Sequence, residues 1–331
     1  MGEDWQLRVK IRELQTSIDT AISKIKAKLT RKSISYSADD NLRQLISMIP
    51  KRRLTPIALG YNFYAHTAVK INDNQVLLGG GSNTSTVHVL YNVDAGVFVT
   101  KANLPVTMMY HAADYCISTN WIMYCGGTGN SSCNYQYVLS SNTFVTKASM
   151  PQARAYHTLV ATDSFLLISG GYSSGDLSTQ HVFNVSPNTY TQKANMHTST
   201  DYHAAAWINS NVVLLNGGND SNNRTANWTF DVRGNTNTVR TALPVARWRH
   251  ASRRFGTSKV LLMGGTDNTS TDAQVFNNTG NAFVTKRATP AIFNYHTMVD
   301  IGDDYLISGG VNTGNKQYGY NVTDNNYVAN V

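Results

Sequence analysis

Glutamate is almost missing from this 331-residue chain: Glu3 and Glu13 are the only two. Charged residues of every kind amount to 15%, which excludes an ordinary helical enzyme with an ion-paired surface. Cysteine is limited to Cys116, Cys125 and Cys133. That odd number, with no export signal, points to reduced structural thiols, and no fourth ligand stands beside them to complete a zinc site. No stretch approaches the ~18 apolar residues of a membrane span. The start, MGEDWQLRVK, lacks the apolar segment of a signal peptide, and position 6 is not the Ser or Thr of a myristoylation signal. Walker-type loops, G-x-S-x-G elbows and H-E-x-x-H motifs are missing too.

What is present instead is Asn, Thr, Ser and Gly, the residues of tight turns and exposed strand faces. The 41% hydrophobic content supplies a sizeable core and argues against disorder. The net charge of +8 is uneven: residues 1–53 hold 12 Lys+Arg against 6 Asp+Glu, and residues 54–331 hold 16 against 14. Basicity therefore belongs to the short N-terminal segment, and phosphate tracking along nucleic acid by the main domain is not expected. Triplets of the N-x-S/T type, at Asn83, Asn130, Asn219, Asn223, Asn227, Asn268 and Asn321, follow from Asn/Thr richness and imply no glycans without export.

The dominant signal is an internal repeat. Tyr64-Ala-His66, Tyr110-His111, Tyr156-His157, Tyr202-His203, Trp248-Arg-His250 and Tyr295-His296 recur every 45–47 residues. Each is followed 13–15 residues later by a glycine pair: Gly79-Gly80, Gly126-Gly127, Gly170-Gly171, Gly217-Gly218, Gly264-Gly265 and Gly309-Gly310. Within a repeat the pattern predicts four short strands. The first carries the His. The second is a continuous apolar run such as QVLLGGG or FLLISGG, suited to a strand covered on both faces. The third alternates, as in QHVFNV, and the fourth carries an aromatic and a basic residue, as in FVTKANLP; repeat 4 departs to TVRTALP.

These residues resemble the kelch repeat: a His near the first strand, a double glycine ending the second, a Tyr/Phe-Asn turn, then an aromatic and a Pro-containing link. The resemblance covers residues 54–331 and implies a mainly β fold, a six-bladed β-propeller. Its blades are expected near 54–106, 107–152, 153–198, 199–245, 246–291 and 292–331. The fourth-strand aromatic is Phe or Tyr here, where the family often has Trp. The last repeat ends on its own fourth strand, so ring closure is expected without a strand exchanged between the termini.

Residues 1–53 read as a short helical extension. Ile11, Leu14, Ile18, Ile22, Ile25 and Leu29 form an apolar stripe at spacings of three and four, closer to a straight 3.6 period than to a strict heptad. Lys24, Lys26 and Lys28 lie beside it. A second helix is predicted from an N-cap at Ser37 through Leu42, Leu45, Ile46 and Ile49 to Pro50. The run KLTRKSISYSADDNLRQLISMI resembles segments near the N-termini of tail and baseplate proteins of phages infecting Gram-positive bacteria. That implies an assembly or oligomerisation segment; an ordinary helical cap remains the alternative.

Chemistry is sparse. Six histidines at one repeat position suggest packing and hydrogen bonding, as in kelch repeats that carry His there without metal, and metal ligands need to converge within a few ångströms. The Tyr-His pairs are similar to the copper ligands of galactose oxidase, but that site needs particular residues in particular blades. Glycosidase and sialidase chemistry lacks its carboxylates, since residues 54–331 contain no Glu. The expectation is therefore no enzyme, no cofactor and no metal. By resemblance to peptide-binding kelch domains, the residue three before each His lies at the channel entrance: Phe63, Met108, Arg154, Thr200, Arg247 and Phe293. Trp248 and Arg249 stand beside them. Such a rim stacks on sugars and grips acidic groups, suiting an anionic cell-wall glycopolymer; the alternative is varied loop residues with no ligand.

The sequence thus points to a phage virion protein, a tail, baseplate or fibre component whose propeller binds the host surface. Its expected partners are other virion proteins through the N-terminal helices, copies of itself, and host carbohydrate, with no nucleic acid or membrane. Its rivals are a capsid or neck decoration, a kelch adaptor for a partner protein, and a sugar-isomerising enzyme.

Overall fold

The computed structural model describes residues 64–329 apart from 83–84, 117–118, 129–131, 163–164, 220–223, 266–270, 302–303, 311–316 and 322–325, together with Ile22, Ser23, Ile25 and Lys26. The chain divides into two compact units, Met1–Arg53 and Leu54–Val331. In the first unit the four described residues are helical, with Ile22 and Ile25 half-buried. Ile11, Leu14, Ile18, Leu29 and the second predicted helix lie outside the described residues.

The second unit is a six-bladed β-propeller of four-stranded antiparallel sheets. In blade 1, β1 (Thr67–Asn72), β2 (Gln75–Gly79), β3 (His88–Asn92) and β4 (Val97–Thr100) run outward from the axis in chain order. The same order recurs in the five later blades, which begin at Ala112, Thr158, Ala204, Ala251 and Thr297. Every sheet is made of consecutive strands, so among the described residues no strand is exchanged at the seam between blades 6 and 1.

The apolar second strands are continuous because each is sandwiched between neighbouring blades. Side chains alternate across a strand. Accordingly Val76 and Leu78 pack with Val299, Ile301 and Leu306 of blade 6, while Leu77 packs with Ile122 and Tyr124 of blade 2. The pattern repeats around the ring, one core cluster for each adjacent pair of blades. Full burial of a Val or Leu side chain contributes about 1.5–3 kcal/mol, so the ring is held by the strands the glycines terminate. On the outer strands the aromatic covers its third-strand partner: Tyr91–Phe98, Tyr137–Phe144, Phe183–Tyr190 and Phe276–Phe283 lie 4.7–5.0 Å apart. Blade 4 has Asn237 there, whose amide donates instead to Asn195 O of blade 3 (2.8 Å).

Polar fasteners join the blades as well. Asn142, Asn188, Asn235 and Asn281, all left-handed, sit in the outer hairpin turns. Their side-chain oxygens accept from the backbone N–H of Ala102, Ala148, Ala194 and Thr241 in the preceding blade, at 2.7–3.1 Å. Asn tolerates this conformation better than most residues. Blade 1 carries Gly96 at the left-handed turn position and so offers no amide at the 6–1 seam. The seam instead holds the Lys70–Asp300 ion pair and a His66–Thr297 hydrogen bond (3.2 Å).

Candidate binding site at the propeller axis

Each inner strand is entered through a left-handed residue immediately before its histidine: Ala65, Tyr110, Tyr156, Tyr202, Arg249 and Tyr295, with φ between 51° and 58° for the Ala and tyrosines and 59° for Arg249. Non-glycine residues rarely adopt this conformation. Here it is repaid by a closed ring of backbone hydrogen bonds around the axis. Tyr110 N–H donates to Ala65 O, Tyr156 to Tyr110, Tyr202 to Tyr156, Arg249 to Tyr202, Tyr295 to Arg249 and Ala65 to Tyr295, at 3.0–3.4 Å. The turn also aims the side chains at the axis, where they form a hub. Tyr156 stacks on Tyr202 at 4.1 Å and meets Tyr110 at 4.5 Å; Tyr295 lies 5.3 Å from Tyr110 and 5.6 Å from Tyr202. Blade 1 has only Ala65 at this position, and Tyr64 reaches in from one residue earlier, 6.4 Å from Tyr110.

The histidines lie between blades. His111, His203 and His66 hydrogen-bond with Thr67, Thr158 and Thr297 of the preceding blade, His157 with Cys125 Sγ, and His250 with Asn216 Oδ1 (2.6 Å). Burial pushes His66, His111, His203 and His296 down to about 3, and His157 and His250 well below the usual range. Arg154 and Arg247 add repulsion at the last two. No acceptor faces Nδ1 of His111, His157, His203 or His250 among the described residues, so a second ring proton would have no partner.

The glycine pairs match these histidines. A Cβ on Gly126 would lie 2.5 Å from both Arg154 O and His157 Cε1, with φ at +67°; only glycine fits. In blade 1 the corresponding pair is Gly80-Gly81, one residue later than the sequence suggested, and Gly79 ends β2. In five of the six pairs the second glycine donates to the next blade: Gly81 to Met108 O, Gly127 to Arg154 O, Gly171 to Thr200 O, Gly218 to Arg247 O and Gly265 to Phe293 O, at 2.7–3.0 Å.

That bonding corrects the expected channel rim. Met108, Arg154, Thr200, Arg247 and Phe293 are at most 1% exposed, because their carbonyls are tied into the blade junctions and their side chains turn inward with them. Met108 packs with Leu104 and Tyr124, and Phe293 with Tyr318. Arg154 donates to Gly170 O (2.9 Å) and Thr179 Oγ1 (3.0 Å), and Arg247 to Gly264 O (3.0 Å). Thr200 Oγ1 donates to Asp201 O (3.2 Å). Phe63 lies outside the described residues. The axial positions are one and two residues before the His, and of the predicted rim only Trp248 and Arg249 are found there.

Around those two residues the hub loses its symmetry. The Arg249 guanidinium lies 3.6 Å from the Trp248 ring centroid, 4.5 Å from Tyr295 and 4.8 Å from Tyr202. Arg224 sits 5.0 Å from the same indole and donates to Asn219 Oδ1 (3.2 Å). Asp201, two residues before its His, is 4% exposed. Burial, with Asp176 adding repulsion, pushes its carboxyl up to about 7, against the opposing pull of Asn219 and Arg249. Asp201 and Arg224 were not singled out from sequence, and Asn219 only as the start of an N-x-S/T triplet; Asp201 and Asn219 stand beside the His and glycine landmarks.

Asp114 accepts from Ala161 N–H of blade 3 (2.8 Å) and from Tyr115 N–H, and burial raises its pKa. Burial likewise raises the Cys125 thiol and the Tyr110, Tyr202 and Tyr295 phenols. Among the described residues no three His, Cys, Asp or Glu side chains converge as a metal site would require.

No protein-family model matches the chain, and no curated protein matches its sequence. Among solved structures the chain is similar to YjhT, with a TM-score of 0.69 and 15% identity over 82% of this chain and 98% of that one. At that identity the likeness supports the fold alone; 942 solved chains match the chain in all.

Proposed function

We propose that the propeller is a binding module of the kelch type, the surface-engaging part of a bacteriophage tail, baseplate or fibre protein anchored through residues 1–53. The observation that carries the binding reading is the axial hub. Its histidines are neutral and lie between blades, the phenols of Tyr110, Tyr202 and Tyr295 are held protonated, and the cationic and acidic groups of Arg249, Arg224 and Asp201 gather on blades 4 and 5. Such a site has guanidinium and aromatic surfaces for holding a ligand. The six-fold His and Gly-Gly junction supports the kelch assignment, because the motif residues form one repeated contact. The virion role rests on the basic, amphipathic N-terminal segment and its resemblance to phage attachment segments.

The test combines two measurements. Labelled full-length protein should adsorb to cells of the host bacterium, and peptides of the chain should occur stoichiometrically in purified particles. Ile22→Asp with Ile25→Asp should remove the protein from particles while cell adsorption persists. Absence from particles and failure to adsorb would together sink this reading.

A further inference from the structure

Five of the six hub positions are filled by tyrosine or alanine, and the sixth by Arg249. The ring of hydrogen bonds uses only backbone atoms, so a tyrosine would close blade 5 as it closes blades 2, 3, 4 and 6. The guanidinium is therefore unnecessary for closure, and placing a charge among three aromatic rings costs desolvation. Among the described residues Arg249 has no ion-paired carboxylate, and its Nε is buried without a hydrogen-bond partner. Its contacts are with ring faces, at Trp248, Tyr295 and Tyr202. A stacked guanidinium keeps its N–H donors in its own plane, aimed edge-on at a planar acid.

Two neighbours add to this. Arg224 approaches the same indole, so two cations share one ring and raise the local potential. Asp201 is buried, and its Oδ1 has no hydrogen-bond partner among the described residues. A buried unpaired oxygen is costly unless something meets it. A hydroxyl-rich ligand supplies such a donor, and an exposed sugar face has the shape to lie against an aromatic side chain.

We infer that Arg249, Trp248, Arg224, Asn219 and Asp201 form a subsite for a saccharide or polyol bearing one acidic group, its acid edge-on to Arg249 and its hydroxyls on Asp201 and Asn219. The inference rests on the binding reading above and gives it a ligand class. Carboxylate and phosphate share the recognition chemistry, and the probes separate them. Asp201 also makes the site pH-dependent. Its carboxyl, facing Asp176, Asn219 and Arg249, ionises near pH 7 and repels an anion above it.

The experiment is calorimetric titration of the full chain at pH 6.5 and 8.0 with D-glucuronate, glycerol phosphate and D-glucose. One or both acidic probes should bind, the tighter one identifying the acid, and glucose should bind at least about 10-fold more weakly. Arg249→Gln and Arg249→Lys should each lose about 10-fold or more, the lysine because it lacks the planar stacked fork. Binding should be tighter at pH 6.5, and Asp201→Asn should remove that difference. Thermal unfolding of each variant checks that the hub remains closed. If neither acid binds, if glucose binds equally well, or if a folded Arg249→Gln chain binds like the original, the subsite is wrong. Persistent adsorption to host cells in those cases leaves the binding function standing; sugar binding without adsorption does the reverse.

Discussion

Acidification should unfold this propeller from the inside, through the histidines that join its blades. A histidine with an ordinary pKa near 6.5 when unfolded, and about 3 when folded, takes up its proton preferentially in the unfolded chain. Its contribution to stability is complete above pH 6.5 and is lost progressively as the pH falls toward 3. Between pH 7 and 5.5 each such residue costs about 1.2 kcal/mol, and the six inter-blade histidines together cost about 7 kcal/mol. His88, pushed down to about 4, adds in the same direction. Asp201, raised to about 7, and Asp114, also raised, act oppositely, because the folded chain binds their protons first. The six inter-blade histidines outnumber these carboxyls and dominate the balance. Ordinary domains have about 5–15 kcal/mol in total, so the unfolding midpoint should lie near pH 5. Urea titrations followed by tryptophan fluorescence at pH 7.0, 6.3 and 5.5 measure the loss. His111→Asn should lower overall stability yet reduce proton uptake on unfolding by about one. A decrease under about 2 kcal/mol between pH 7 and 5.5 would refute neutral burial of the histidines.

Other outcomes follow from the same contacts. Gly126→Ala places a methyl group against Arg154 O and His157 in a left-handed conformation, and should cost at least about 3 kcal/mol by denaturant unfolding. Asn188→Ala removes a single inter-blade acceptor at 3.1 Å and should cost only about 1 kcal/mol. His157→Ala should cost about 1–3 kcal/mol, and chelator should leave the melting temperature unchanged; a stoichiometric metal in purified protein would contradict the latter. A chain shortened by residues 1–50 should stay β-rich, monomeric and cooperatively folded by circular dichroism and sedimentation; loss of cooperativity would mean the helices complete the core.

Blade number and the four-strand order were legible in the sequence because both are local and periodic. The His and Gly-Gly landmarks recur every 45–47 residues, and a run such as Val76-Leu77-Leu78 has no polar face to offer solvent. The glycines could be located to within one residue but not explained. Their need for glycine comes from a carbonyl and a histidine of the next blade, about 30 residues further along the chain. The binding rim was misplaced for the same reason. Whether Arg154 or Tyr156 turns toward the axis depends on the left-handed residue before the histidine and on the carbonyl held by Gly127, neither of which leaves a compositional trace. Arg249 and Trp248 stood out as departures from the repeat, but Asp201, Asn219 and Arg224 resembled ordinary loop residues. Only the packing of blades 4, 5 and 6 around the axis places one guanidinium over three rings and buries Asp201 enough to raise its pKa. Periodicity determines the repeated architecture; long-range packing decides where that symmetry is broken, and with it the site.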